Sequence, residues 1–449
     1  MQKFVSSRLR IFSRGVPCYS IGTVSNPKYY DPNHTKLMMI GSGFAGSTAV
    51  AHIPRITTIR KFEMRVFDSQ PFVYYTPNID LLPFSIKTKD EIERTILHTM
   101  NDTTGLEFSG IEKIIPEKNT LICSENKEYH YDYLVLAAGL EPNYSKVKGL
   151  KEALEDRDCP VITTATIADT EKCRREFEIF YTGKVLFYND KHSKNYISAL
   201  NTAFLFDQEL RQRKGGGIRS LSELSYISND NSVLPYVNYG IKLKNLMLER
   251  QIKFDDPTLE LIEIDKDRKR AIFADPNNRE KIVEKEFDVL FVNPEFTLPE
   301  VLKPLAKDEH YLNIDPSTLV HNQYGNVFAL GHCARSKNTV LSHKAILEQS
   351  LILNANIELT LQAATHEAKP ERLMKYNGET QLPFFVGNNR CLLAEINPGK
   401  QELDKEPSRI DFIKEAYGNP KIYFGLQTQG VWFGDSGFRV PKFILPDGK

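Results

Sequence analysis

The chain has no surplus of either charge: Lys plus Arg and Asp plus Glu both number 58, so the formal net charge is zero. A domain that tracks a phosphate backbone needs a basic excess, so no nucleic-acid partner is expected. Cysteine is scarce, with six in 449 residues: Cys18, Cys123, Cys159, Cys173, Cys333 and Cys391. No two stand in a CxxC spacing, which argues against a zinc ribbon or a disulfide framework, and no metal site is expected. No stretch approaches the roughly 18 consecutive apolar residues of a membrane-spanning helix, and the mean hydropathy is −0.38. Internal repeats and low-complexity tracts are also absent. What remains is ordinary for a folded protein: 41% hydrophobic and 10% aromatic residues. That excludes a disordered or collagen-like chain and leaves material for two to four domains of roughly 150 residues.

The zero charge is a sum of unequal parts. Residues 1–30 hold Lys3, Arg8, Arg10, Arg14 and Lys28, and the first acid is Asp31. Serines and apolar residues interleave with the arginines, as in a mitochondrial presequence able to form a short amphipathic helix. A disordered basic tail is the alternative reading. The remaining chain has 53 basic and 58 acidic residues, which suits a soluble protein on the matrix side.

The periodic part begins at Lys36. Leu37-Met38-Met39-Ile40 is a continuous apolar run, expected of a parallel strand covered on both faces. Gly41-Ser42-Gly43-Phe44-Ala45-Gly46 follows directly, then a small-residue helix over 47–53 that Pro54 should end. This is G-x-G-x-x-G between strand and helix. Gly41 permits the turn, Gly43 lets a pyrophosphate approach the backbone, and Gly46 lets helix and strand pack closely. A second apolar strand, 64–67, ends at Asp68, 22 residues beyond Gly46, where an acid accepts hydrogen bonds from an adenosine ribose.

Two further segments have the same character. The strand at Tyr131–Leu136 runs into Ala137-Ala138-Gly139, small enough for the chain to pass close to a bound flavin. The strand after Gly325 ends in Gly331-His332-Cys333, and an amphipathic helix is expected at about 340–357. The three segments, in this order, resemble the FAD half of the two-dinucleotide-binding flavoproteins. The resemblance implies α/β architecture with two Rossmann-like domains, the FAD domain discontinuous, and a C-terminal extension. Its bounds are 1–30 presequence, 36–148 and 317–375 FAD domain, 149–316 second domain, and 376–449 C-terminal segment. It also implies FAD contacts at Gly41, Gly43, Phe44, Ala45, Gly46, Asp68, Ala138, Gly139, Gly331 and His332. In that superfamily an acid usually follows the third glycine and holds the ribityl chain; His332 stands there.

The second domain should repeat the glycine fingerprint if it bound a pyridine nucleotide. Its strand, 184–188, runs instead into Asn189–Tyr196 with no glycine, so no NAD(P)H site is expected. Gly215-Gly216-Gly217 is expected to be a loop. The layout resembles the sulfide:quinone oxidoreductase family, mitochondrial branch, over about 36–434. Tyr131–Val135 with Lys148-Gly149-Leu150, Asn326-Val327-Phe328 with Gly331, and Lys375-Tyr376-Asn377-Gly378 before Pro383 carry the resemblance. So do Asn389-Arg390 with Leu393-Ala394-Glu395, and Ile422–Gly425 through Trp432. The last segment, with Tyr423, Phe424 and Trp432, is implied to line a quinone pocket against the inner-membrane surface, although Gln427, Thr428 and Gln429 should weaken anchoring there.

The family's chemistry implies a cysteine pair beside the flavin, forming a disulfide that sulfide attacks before electrons pass to quinone. The matching positions hold Tyr196 and Leu382. Cys18 lies in the leader and Cys333 and Cys391 on apolar strands, leaving Cys159 and Cys173 as a rearranged pair. Smaller signals remain. His192, between lysines, reads as a solvated loop residue. His343 faces either the flavin edge or the helix surface. Val73-Tyr74-Tyr75-Thr76-Pro77 either lines the flavin site or packs in the core. Asp265–Arg270 reads as a charged hairpin tip. Two functions follow. One is a mitochondrial FAD-dependent sulfide:quinone oxidoreductase-like enzyme with its redox cysteines replaced. The other is a catalytically degenerate paralogue with a binding or structural role. A soluble flavoprotein with an unrelated substrate is a third, minor reading.

Overall fold

The structure is a computed structural model that describes residues 35–53, 62–100, 104–230, 237–254, 258–336, 341–365, 372–386, 390–396 and 413–417. The expected presequence, Cys18, Gln427–Gln429, Tyr423, Phe424 and Trp432 lie outside the described residues.

In chain order the first layer holds β1 (Thr35–Ile40), α1 (Phe44–His52), β2 (Phe62–Phe67) and β3 (Gly105–Glu107). An antiparallel meander follows: β4 (Ile111–Ile115), β5 (Thr120–Cys123) and β6 (Glu128–His130). Then comes β7 (Tyr133–Leu136). The second layer begins with β8 (Val161–Ile162), α2 (Asp169–Ile179), β9 (Gly183–Asn189), α3 (Ser198–Gln212) and the single-turn α4 (Gly217–Ser220). It continues with β10 (Ser222–Ser228), α5 (Val237–Glu249), β11 (Ile252–Phe254), a meander of β12 (Glu260–Asp265), β13 (Arg270–Asp275) and β14 (Asn278–Glu286), and β15 (Val289–Asn293). The chain then returns to the first layer with β16 (Val327–Ala329) and α6 (His343–Thr365). It ends in an antiparallel sheet of β17 (Thr380–Phe385), β18 (Arg390–Ile396) and β19 (Ile413–Tyr417).

Two parallel five-stranded sheets organise the molecule, in the orders β16-β7-β1-β2-β3 and β8-β15-β9-β10-β11. The fold class is therefore α/β with two Rossmann-like domains, the first built from segments on both sides of the second. The continuous apolar runs have a direct physical reading. Leu37 and Met39 join one core cluster while Met38 and Ile40 join another on the opposite face of the sheet. In the second sheet Val185 and Phe187 pack on one face, Leu186 and Tyr188 on the other. A strand buried on both faces has no polar position to alternate with, and each such side chain contributes about 1.5–3 kcal/mol of transfer free energy.

Three local expectations need correction. Gly215–Gly217 is not a loop: the chain passes from α3 through a 3-10 turn (Arg213–Gly216) into α4, because Arg213 ties the segment to the carbonyls of Phe177 and Phe180. The helix expected at 340–357 runs to Thr365. The glycine-turn helix starts at Phe44, three residues earlier than the small-residue run indicated. The charged run 265–270 is the hairpin tip between β12 and β13, as its composition indicated.

Candidate functional site

The β1–α1 turn is shaped by its glycines. Gly41 has φ +96° and an added Cβ would lie 2.5 Å from the Ala137 carbonyl oxygen. An added Cβ at Gly46 would lie 2.1 Å from the Gly41 oxygen. Gly43 differs: nothing lies within 4 Å of its notional Cβ, so it borders open space. α1 has no side-chain N-cap and no acid in its first turn, and it presents its free N–H groups and positive dipole end to that space. Asp68, at the tip of β2, accepts bonds from the Ser42 N–H (2.8 Å) and Oγ (2.6 Å) and from the Gln70 N–H (2.9 Å). The acid is thereby fixed at the rim of the cradle.

Gly41, Gly43 and Asp68 border a cavity of about 520 Å³ that also reaches Phe44, Ala45, Ala138, Gly139 and His332, while Gly46 packs behind the wall. Gly139 (φ +73°) likewise has nothing within 4 Å of a notional Cβ. Gly331 sits against the Ala45 Cβ and is not itself a cavity-wall residue. His332 opens the turn after β16. Burial, then the neighbouring Lys194 and Arg335 cations, push its pKa down to about 3, so the ring is neutral at physiological pH and carries one N–H donor. The aromatic-proline run lies at the same cavity, which Val73, Tyr74, Thr76 and Pro77 line, while Tyr75 is fully buried beneath. His343 is on the cavity side of α6. It contacts the Tyr75 hydroxyl and meets Phe44 edge-on with centroids 4.6 Å apart, and burial lowers its pKa to about 3.

Some wall residues had no sequence signal. Asp80 is buried and accepts from Thr164 (2.7 Å), Ser198 (2.6 Å) and Asn195 (3.1 Å), which fastens the 76–82 segment to the start of α3. Burial raises its pKa, opposed by the two hydroxyl donors. Lys194 lies in the glycine-free turn after β9. An i to i+3 or i+4 pattern does not reveal such long-range partners.

The structure brings Tyr196 and Leu382 together: both line a second, adjoining cavity of about 110 Å³ with His332. Tyr196 donates to Asp230 and packs against the same core as Leu382. Cys159 and Cys173 do not form a rearranged pair. They belong to core clusters on opposite faces of the second sheet, both are free, and burial raises both thiol pKa values. Neither lines either of these two cavities, nor do Cys123 and Cys333. His192 is not a solvated loop residue. It stacks on His310 at 4.0 Å and 3°, and burial together with His310 lowers its pKa to about 4. Among the described residues no cluster of three or more His, Cys, Asp or Glu could hold a metal ion, and no helix is long and apolar enough to cross a membrane.

A pyridine nucleotide-disulphide oxidoreductase family model matches residues 35–177. The mitochondrial sulfide:quinone oxidoreductase of Mus musculus is 24% identical over 416 residues, covering 91% of this chain and 89% of the mouse protein. That of Dictyostelium discoideum is 27% identical over 416 residues, covering 90% and 88%. Among solved structures, the sulfide:quinone oxidoreductase of Aquifex aeolicus superposes with a TM-score of 0.73 at 16% identity, over 91% of this chain and 93% of that one. A chain of the Tetrahymena thermophila mitochondrial ATP synthase gives 0.72 at 19% identity, over 92% and 98%. Fold and cradle thus resemble the class of FAD-dependent oxidoreductases with two dinucleotide-binding-type domains. Within it, the similarity to mitochondrial sulfide:quinone oxidoreductases extends over 90–91% of the chain at 24–27% identity.

The cofactor of this class is FAD, and the site fits it. The space beside Gly43 and Gly139 is the hollow that a side chain would fill, the α1 N-terminus supplies unpaired N–H donors, and the cavity continues to His332.

Proposed function

We propose that this chain is a mitochondrial FAD-binding oxidoreductase of the sulfide:quinone type in which the two-cysteine route to sulfide is closed. The observation that carries the reading is the glycine cradle, open at Gly43 and closed around Gly41 and Gly46, on a cavity of about 520 Å³. Gly41, Gly43, Phe44, Ala45 and Gly46 would receive the pyrophosphate, with Asp68 at the ribose. Ala138, Gly139 and His332 would stand along the rest of the cofactor, with Gly331 setting the turn. FAD, when bound, supplies two-electron transfer between a reduced donor and a quinone. His332 offers a neutral N–H donor to a hydroxyl where an acid would accept one. The quinone pocket at Tyr423, Phe424 and Trp432, and contact with the matrix side of the inner membrane, belong to this proposal.

The donor side is where the chain departs. Neither Tyr196 nor Leu382 can join the other in a disulfide, and no described cysteine borders either cavity. Sulfide must then meet the cofactor without a protein persulfide, or it is not the donor. NAD(P)H is not the donor in this reading. The β9 turn lacks glycine and is filled by Asp190, whose carboxylate accepts from Lys146, Asn229 and the His192 N–H. A phosphate entering there would meet a buried carboxylate.

A second reading, a catalytically degenerate paralogue with a binding or structural role in the mitochondrion, is favoured by the Tyr196–Leu382 pair. The occurrence of the same fold in a chain of an ATP synthase assembly is compatible with it. Absorbance of the purified protein separates the readings. Flavin absorbance that bleaches with sulfide while a soluble quinone is reduced sustains the enzyme. A yellow protein unmoved by sulfide sustains the degenerate reading, and recovery in Tyr196→Cys with Leu382→Cys places the lost pair. A colourless folded protein defeats every flavin-dependent reading.

A further inference from the structure

The glycine-free turn after β9 leaves one charge uncompensated. The Lys194 ammonium has no hydrogen bond or ion pair among the described residues, and burial disfavours its charge. Lys194 lines both the large cavity and the adjoining one of about 110 Å³. Arg335 also lines the smaller cavity. Its two terminal nitrogens donate to the backbone oxygens of His192 (3.0 Å), Ser193 (3.2 Å) and Phe296 (3.0 Å). Those partners are neutral, and among the described residues no carboxylate lies within ion-pair distance of Arg335, while Glu295, Asp190 and Asp308 act on it from farther off. Arg335 Nε and Ser193 Oγ are buried with no hydrogen-bond partner. Among the described wall residues Asp230 is the one carboxylate, and it takes the Tyr196 hydroxyl; Lys191 adds a third cation at the rim. His332 contributes a neutral ring to the same wall.

A hollow walled by two partly desolvated cations and a single engaged acid is short of negative charge. We propose that the small cavity is a binding site for a small tetrahedral oxoanion, a dianion of the sulfate or phosphate class, held by Lys194 with donors from Arg335 and His332. Size agrees. A five-atom ion takes roughly the room of two waters, about 60 Å³, which the cavity holds and a nucleotide exceeds. Charge agrees too, since a dianion neutralises Lys194 and Arg335 together. The occupant would touch Tyr196 and Leu382, the positions where the family resemblance implied cysteines. In place of a disulfide, the chain holds a cation-lined hollow. The inference does not depend on flavin binding.

The test is calorimetric titration of the full chain, loaded with FAD and freed of phosphate and sulfate, with sodium sulfate and separately with sodium phosphate. Sodium chloride at matched ionic strength is the control. The expected result is one saturable site for either dianion and none for chloride. Lys194→Met weakens it about tenfold or more, the loss of one charge-assisted contact, while Lys194→Arg retains it. Leu382→Trp, which fills the hollow without touching the charges, abolishes it. Circular dichroism shows that each variant is folded. Absence of saturable binding overturns the proposal, as does equal binding by folded Lys194→Met. Where the protein does take up FAD, binding confined to its FAD-free form also overturns it, because the ion then occupies the cofactor's phosphate cradle. A colourless protein that binds sulfate through Lys194 sustains the inference and defeats the flavin reading.

Discussion

The molecule carries the same crossover twice, and the two copies have opposite interiors. β1 and β9 are each the middle strand of a parallel five-stranded sheet, and each leads through a turn into a helix behind it. In the first copy the turn is emptied of side chains: Gly41 and Gly46 let backbone meet backbone, and Gly43 faces vacant space. In the second the turn is filled by the chain's own polar groups. Asp190 and Asn189 are buried, Asn293 donates to Asn189 (2.7 Å), and Lys146 bridges Asp190 (3.0 Å) and Glu295 (2.8 Å). A topology suited to a dinucleotide leaves open space at the turn only where the turn is bare of side chains. Where side chains occupy it, the same turn becomes a joint between domains.

The comparison can be broken most severely at Gly46. Gly46→Ala puts a Cβ 2.1 Å from a backbone oxygen, and the expected cost is about 4 kcal/mol. Thermal unfolding and the flavin-to-protein ratio should both collapse. In the second copy, Asp190→Ala removes the acceptor shared by Lys146, Asn229 and the His192 N–H. The expected loss is about 2–3 kcal/mol by urea denaturation, with no gain of NADH binding by fluorescence titration. If the variant binds NADH, the filled turn was only a plug.

Acid probes the histidines at the seam. His332 and His343 have folded pKa values lowered to about 3, below the unfolded value of about 6.5. The unfolded chain therefore binds more protons below pH 6.5, and stability falls as pH drops towards 3. Each ring costs up to about 2 kcal/mol between pH 7 and pH 5. Urea midpoints at the two pH values should show the fall, and it should shrink in His343→Asn. The smallest structural effect is expected at Gly43→Ala. With nothing within 4 Å of the new Cβ, stability should move by less than about 0.5 kcal/mol, while FAD binds about tenfold more weakly because the methyl occupies the phosphate space. Equal FAD affinity would mean that the cofactor does not approach Gly43.

The first copy was legible in the sequence because its information is local. A strand, three glycines and an acid at a set spacing state the backbone geometry without reference to the rest of the chain. The continuous apolar runs 37–40 and 184–188 were legible for the same reason, since burial on both faces leaves no alternation to interpret. The turn of the second copy was not. Absence of glycine says that a turn is closed but not what closes it. His192 read as solvated because its stacking partner, His310, is far along the chain, and Asp80 gave no signal because Thr164, Asn195 and Ser198 meet it only in the folded state. Gly215–Gly217 read as a loop because glycine opposes helix in isolation. The side chain of Arg213 and the end of α2 override that preference.

The pairing of β16 with β7 has a consequence for the order in which the molecule is made. Val327 and Leu134 are register partners, so the first sheet keeps an open edge until the whole second domain has been synthesised. Closing that gap between distant segments is entropically slow, whereas the second sheet needs only contacts inside its own segment. The inserted domain should therefore fold first and bring β16 back to a waiting edge. A chain halted before Val327 would present the unpaired backbone of Tyr133–Leu136, an apolar template for aggregation.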